Sequence, residues 1–560
     1  MAEDMSNVDT AWLRMELPNN LMMITGVFIF EQPLDFERFK TTLEQRFLCF
    51  ERFRQRVVEP RLGLGSLRWE IDPQFDIANH VHRIALPAPG DQQSLQELVS
   101  DLMSTPLDYS KPLWQFHLAE GFQGGTAWIG RLHHCIGDGI ALMRVLLAMS
   151  DDSPDAVWQP PAEEEEEQRP SRSPWRIITG PASAAIGATR RVTGAVVGGS
   201  LDLVSNPTQA LDYARLGRET TMALGRLLLL PPDPKTIYKG PLSVPKVAAW
   251  SDAIPLSQIK AIGQATGATI NDVLLSAVAG ALRRYAQDRA QGVDGLNVRG
   301  VIPVNLRRES AKIELGNKFG LFFLSLPLGI ADPLERLFEL KRRMDDLKDS
   351  QEAVVAFGIL NAIGMAPNEI ENIVVNIFGA KATAVMTNVP GPRSQIYFAG
   401  APVRQMMFWV PQSGRLGLGV SIFSYNNHVW LGVATDQRLA PDPETIVAYY
   451  RDEIDQLYAL TQQVTETPQE LPAPSRTVKP EAAAPSLSDA VEVAPTDGDD
   501  LTRLIGIGPA FAASLRASGV TSFAALAAST PDALAAIVQA ADWRRPDYAS
   551  WIDQARALVG

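Results

Sequence analysis

A strand that ends in two adjacent histidines and turns at once into a helix constrains this chain more than any other feature. In TAWIGRLHHCIGDGIALMRVLLAMS (126–150) the apolar run up to Leu132 reads as a strand, the polar turn follows, and GIALMRVLLAMS (139–150) reads as a helix. Only six histidines are present, at 80, 82, 117, 133, 134 and 428, and two of them meet here. Successive strand residues face opposite sides, so one imidazole can enter a cleft while its neighbour packs behind. A neutral imidazole is suited to take a proton from a hydroxyl near neutral pH. Asp138 can brace the turn or pair with an arginine, and Gly139 permits a tight turn before the helix. From these residues alone, two histidines that merely cap a strand remain an equal alternative. A metal site is not expected, because adjacent histidines point apart and no second His/Cys cluster supplies further ligands.

The rest of the sequence sets the frame. At 560 residues the chain exceeds one core and implies two or three domains. A net charge of −13 offers no general attraction to nucleic acid or to an anionic membrane. Two cysteines, Cys49 and Cys135, encode no disulfide framework, which fits a reducing cytosol. The start MAEDMSNVDTAW lacks the basic and apolar regions of a signal peptide, and no stretch nears 18 uninterrupted apolar residues. A cytoplasmic protein is expected, and lipid substrates would have to be met at a surface.

Composition divides the chain into a mixed helix–strand region at 1–160, a connector at 161–245, a second mixed region at 246–463, a Pro/Ala/Glu-rich tether at 464–497 and a compact module at 498–560. PAEEEEEQRPSRSP (161–174) is a charged, proline-bounded break. Within the connector, 176–230 carries a net charge of +3. It reads either as a segment packed on the body or as a basic amphipathic surface for lipid.

A series of blocks in fixed order then carries a resemblance. H-H-C-I-G-D-G (133–139) matches the H-H-x-x-x-D-G signature of the superfamily of chloramphenicol acetyltransferases, carnitine acyltransferases and peptide-synthetase condensation domains. STPLDYSKPLWQFHLAEGFQGG (104–125), ATINDVLLSAVAGALRRY (268–285), VIPVNLR (301–307), GNKFG (316–320), TNVPGP (387–392) and GLGVSIFSYNNHVWLGVATD (417–436) resemble the bacterial wax ester synthase/diacylglycerol acyltransferase family over roughly 4–463. The resemblance implies an α/β fold of two chloramphenicol-acetyltransferase-like halves around a central channel. It implies transfer of a fatty acyl group from acyl-CoA, a co-substrate with no further cofactor, to a fatty alcohol or diacylglycerol at a membrane or lipid-droplet surface. His134 would be the general base in direct attack on the thioester, His133 a supporting residue and Asp138 structural. Cys135 would be inert packing.

Asn271 is a candidate oxyanion donor, with a helix N-cap as its plainer reading and Asp272 favouring the helix dipole. Gly139, Trp114, Asp272, Asn388, Pro390 and Gly391 are the expected substrate-channel residues, the Asn388–Pro392 turn reading equally as a rigid corner. Two other functions compete. His133 with Asp138 also gives the H-x-x-x-x-D spacing of glycerolipid acyltransferases, and a lipid-binding protein without catalysis could keep the same fold.

The C-terminal module departs from that family. DDLTRLIGIGPAFAASLRASGV (499–520) resembles a helix-hairpin-helix domain, with Gly506–Pro509 as the hairpin. Its 497–560 segment has five arginines, no lysine and seven aspartates, a poor footprint for DNA, so a small all-α domain with a protein partner is expected.

Overall fold

The computed structural model describes residues 3–59, 66–156, 229–307, 313–348, 352–363 and 375–466 apart from 378, 413 and 415. Beyond these it describes 499–538 with breaks and 548–559. The tether from 467 onward and most of the connector, with nearly all of its basic face, lie outside the described residues. The chain divides into two compact units, Met1–Gln469 and Glu470–Gly560.

In the larger unit, helix α1 (Asn7–Arg14) precedes strand β1 (Met23–Phe30). Strand β2 (Val81–Ala85), helix α2 (Gln92–Ser104), strands β3 (Trp114–Phe122) and β4 (Gly125–His133) and helix α3 (Gly139–Met149) are the further elements of the first half that frame the site. The second half holds β5 (Lys246–Trp250), helices α4 (Leu256–Thr266) and α5 (Ile270–Asp288), and strands β6 (Val298–Asn305) and β7 (Phe319–Leu326). Strands β8 (Ala384–Pro390), β9 (Tyr397–Phe398), β10 (Ala401–Trp409), β11 (Leu418–Tyr425) and β12 (His428–Asp436) follow, and helix α6 (Pro443–Glu466) closes the unit.

Two large mixed sheets result, ordered β9-β10-β1-β4-β3-β2 and β7-β6-β8-β11-β12-β5. Every residue of β1 is buried, as a β-branched and aromatic strand covered on both faces should be. The two halves are not cleanly consecutive. Strands β9 and β10 come from the second half but extend the first sheet, with Trp409 opposite Thr25 and Val403 opposite Phe30. The division expected at 246–463 is therefore crossed by a hairpin that the linear composition does not mark. Serine hydroxyls of α2 tie the halves again: Ser104 and Ser100 accept the main-chain N–H groups of Lys246 and Ala248 in β5.

No single described helix is long and apolar enough to cross a membrane. The smaller unit packs short helices α7 (Phe523–Ala527), α8 (Pro531–Val538) and α9 (Tyr548–Val559) around Leu504, Leu515, Leu526 and Trp551.

Candidate active site

Antiparallel pairing of β1 with β4 puts Met23 opposite His133, and the Met22 carbonyl accepts the main-chain N–H of His134 at 2.7 Å. The strand therefore stops at His133, and residues 134–136 form a single 3₁₀ turn. His133 caps that turn, its Nδ1 accepting the N–H of Cys135 at 3.1 Å. Its Nε2 lies 3.2 Å from Glu16 Oε2, which also accepts the Met22 N–H. Burial alone would raise the Glu16 carboxyl, but hydrogen bonds from His133 and Tyr109 hold it below its ordinary value. Turned inward and fully buried, His133 fixes the turn from behind.

His134 is the neighbour that faces the other way. Its imidazole lies flat on Trp12, ring centroids 4.1 Å apart at 16°, with Phe319 tilted beside it at 5.7 Å. Burial lowers its pKa to about 4, against the opposing charge of Asp138, so the ring is neutral at pH 7.

Asp138 is the N-cap of α3. Oδ1 accepts from the Ala141 N–H at 2.9 Å, while Oδ2 takes Arg307 Nη2 at 2.8 Å and the Lys318 N–H at 2.9 Å. Both partners of this Asp138–Arg307 pair are buried, and it bridges the halves. Arg307 also donates to the Glu314 and Gly316 carbonyls, holding that segment against the turn. There the Gly316 N–H donates to the Ile136 carbonyl, and Asn317 Nδ2 donates to the His134 carbonyl at 2.7 Å. Gly316 has φ +87° and a Cβ there would sit 3.2 Å from Asp9, so glycine is required.

Leu132 and Gly139, on either side of the turn, both line an apolar cavity. Its walls come from both sheets and α3, including Phe28, Met143, Leu146, Met149, Phe408 and Phe423. Thr387 and Ser421 add two hydroxyls, bonded to each other at 3.2 Å. Gly26 and Gly130, directly opposite each other on β1 and β4, also line it, and a Cβ on them would press on the Phe408 and Phe116 rings respectively.

Several expected channel residues sit elsewhere. Trp114 does not line this cavity: it is fully buried in the first core, donates Nε1–H to the Phe53 carbonyl at 2.7 Å and stacks on His80. The N-cap of α5 is Thr269, not Asn271, and buried Asp272 closes a capping box with it. Asn271 instead accepts a hydrogen bond from Asn388 at 2.6 Å. Thr387 and Val389 line the cavity, so Asn388 between them projects from the opposite face of β8. Pro390 pairs with Ser424, and a Cβ on Gly391 would strike Phe423 and the Ser424 carbonyl, so this corner serves packing. Asp9, Trp12 and Glu16 escaped the sequence reading. Asp9 follows Ser6 in an ordinary capping pattern, and nothing local marks a contact to a turn 120 residues away.

Two α/β halves with a His-His turn between them define a CoA-dependent acyltransferase fold. The chain is similar to the wax ester synthase/diacylglycerol acyltransferase of Marinobacter aquaeolei VT8, with a TM-score of 0.59 and 22% identity over 82% of this chain and all of that one. It is also similar to the first condensation domain of the calcium-dependent antibiotic synthetase, with a TM-score of 0.51 and 15% identity over 82% of this chain and 96% of that one.

Residues 5–274 match the wax ester synthase/diacylglycerol acyltransferase catalytic domain, and 315–458 match the C-terminal domain of the same family. The chain belongs to this family and is an acyltransferase. A relative named as a probable diacylglycerol O-acyltransferase, tgs1 of Mycobacterium tuberculosis, is 27% identical over 82% of this chain and 96% of its own length. Residues 501–559 match the RS2/RL21/YNQ2 helix-hairpin-helix domain.

Proposed function

We propose that the protein transfers a fatty acyl group from acyl-CoA to a lipophilic alcohol, a fatty alcohol or diacylglycerol, with His134 as general base. The observation that supports this best is the apolar cavity beginning at the two residues that flank the His134 turn. An alkyl chain there meets carbon and two mutually satisfied hydroxyls, with no unpaired charge to desolvate. On this reading its reacting end lies at the turn that carries the imidazole.

In the reaction, neutral His134 takes the proton of the acceptor hydroxyl as its oxygen attacks the thioester carbonyl carbon. Collapse of the tetrahedral intermediate breaks the C–S bond, and the imidazolium returns its proton to the leaving CoA sulfur. No acyl-enzyme forms. Burial raises the Cys135 thiol well above its ordinary pKa, which suits packing rather than nucleophilic attack. Asp138, saturated by four hydrogen bonds, holds the turn and does not relay protons.

The acceptor is insoluble, so the protein works at a membrane or lipid-inclusion surface, and liposome flotation tests this. The C-terminal unit serves docking to a protein partner, so a 1–469 fragment is expected to keep acyl transfer.

The deciding assay offers palmitoyl-CoA with hexadecanol or dioleoylglycerol to wild type and to His134→Ala. Ester formed only by wild type supports both reaction and base, and the product ratio ranks the acceptors. A folded wild type that forms no ester with either acceptor refutes the assignment of substrates.

A further inference from the structure

Three loops beside the catalytic turn each carry an exposed large apolar side chain: Leu17 after α1 at 41% exposure, Tyr109 after α2 at 40% and Val244 before β5 at 51%. Among the described residues of the larger unit only six such side chains are exposed, and these three line one surface depression. Leu13, Pro18, Leu21 and Pro106 line it with them. An apolar side chain exposed singly needs no explanation, but a cluster around one hollow marks an interaction surface. The loops are tied to one another. Asn19 Nδ2 donates to the Leu242 carbonyl at 3.4 Å, and the Ser104 hydroxyl accepts the Lys246 N–H at 2.9 Å. Glu16 and Tyr109 form the wall nearest the site: Glu16 Oε2 lies 3.2 Å from His133 Nε2, and the Tyr109 ring lies 6.0 Å from the His133 ring. The depression therefore backs onto the turn that carries His134.

Charge decides which partner fits. No lysine or arginine lines the depression, and the lysines that follow Tyr109 and Val244 are engaged, Lys111 with Asp108 and Lys246 with Asp436 at 2.7 Å. Its one carboxylate, Glu16, is engaged with His133. Such a face offers no cation to anionic headgroups, and its rim is Leu, Pro, Tyr and Val where a protein interface carries a polar one. We propose that this depression is the docking face for a neutral lipid surface, its loop tips inserting below the headgroups with the Tyr109 hydroxyl at their level. The catalytic turn then stands against the phase that holds the insoluble acceptor. This inference rests on the reading of the acceptor as a lipophilic alcohol.

The test is flotation of the full chain with phosphatidylcholine vesicles, with or without dioleoylglycerol, and with phosphatidylglycerol vesicles. Wild type is expected to float with the neutral vesicles. Leu17→Asp/Val244→Asp should lower the bound fraction by about tenfold or more, since each charge would have to enter hydrocarbon. Phe338→Asp, at an exposed apolar position outside the depression, should float as wild type does, and an equal loss there overturns the proposal. Wild type that leaves neutral vesicles unbound, or binds only the anionic ones, also overturns it. So does a double variant that floats undiminished, or self-association of wild type that the double variant abolishes. If the double variant does not fold, a polarity-sensitive dye on Val244→Cys decides, with Cys49→Ser removing the other exposed thiol. A blue shift of the dye on adding neutral vesicles supports the proposal, and no shift overturns it. A wild type that floats yet forms no ester refutes the substrates instead, so the two failures are distinguishable.

Discussion

Trp12 lies face to face with His134, ring centroids 4.1 Å apart, and an N-terminal helix thereby seals the base of a turn 120 residues away. The indole excludes water, and the pKa of His134 falls to about 4, chiefly through burial. Above that value the imidazole is neutral and able to accept a proton; below it the base is lost. The acid limb of kcat/KM is therefore expected near pH 4, well below the ordinary histidine value of about 6.5. Replacing Trp12 by alanine should admit water and move the limb up towards 6.5, while costing about 3–5 kcal/mol of stability for the lost aromatic packing. A pH profile of both proteins checks this, and identical limbs would show that Trp12 does not set the base.

The Asp138–Arg307 pair joins the turn to the second half with both side chains buried. Truncating one partner leaves a buried charge unpaired, which costs about 3–5 kcal/mol. Asp138→Ala is expected to lose stability on that scale in denaturant titration, because the α3 cap goes with the ion pair. Asp138→Asn keeps the cap and some of the Arg307 contacts, so it should lose less. Ester formation should fall in step with stability. An Asp138→Ala protein as stable as wild type would contradict the bracing role.

Asn271 is bonded to Asn388 on the face of β8 turned away from the cavity. A group that stabilises an oxyanion in the reaction is worth roughly 100- to 1,000-fold in kcat. The geometry predicts less than a tenfold loss for Asn271→Ala. A fall of several hundredfold with unchanged stability would restore the oxyanion role expected from sequence.

What could be read from sequence followed from how local each feature is. The β4–turn–α3 unit was legible because strand, turn and helix are consecutive and each has its own periodicity. Asp138 as an arginine partner was legible as chemistry, although the arginine itself, Arg307, lay 169 residues away and had no assigned role. Asp9, Trp12 and Glu16 were not legible, since their importance arises only when α1 folds against the turn. Trp114 misled for the opposite reason. A tryptophan in a distinctive block drew a channel role, yet its indole is needed to fill the core beneath β3. The β9–β10 hairpin escaped because strand pairing across about 380 residues leaves no periodic trace in composition.

The cavity makes the last prediction, at Gly139. This residue lines the cavity, and a Cβ built on it meets nothing within 4 Å. A side chain added there can project into the space proposed for the alkyl chain without striking the fold. Gly139 is also the first residue of α3, where a side chain is tolerated and glycine offers no helical advantage. Gly139→Leu should therefore keep its thermal stability but take up part of the cavity. Each buried methylene is worth about 0.8 kcal/mol, so losing room for two to four of them shifts preference towards shorter acyl chains by roughly 10- to 200-fold. Competition between octanoyl-CoA and palmitoyl-CoA measures that ratio directly. An unchanged ratio in a folded Gly139→Leu protein would place the acyl chain outside this cavity.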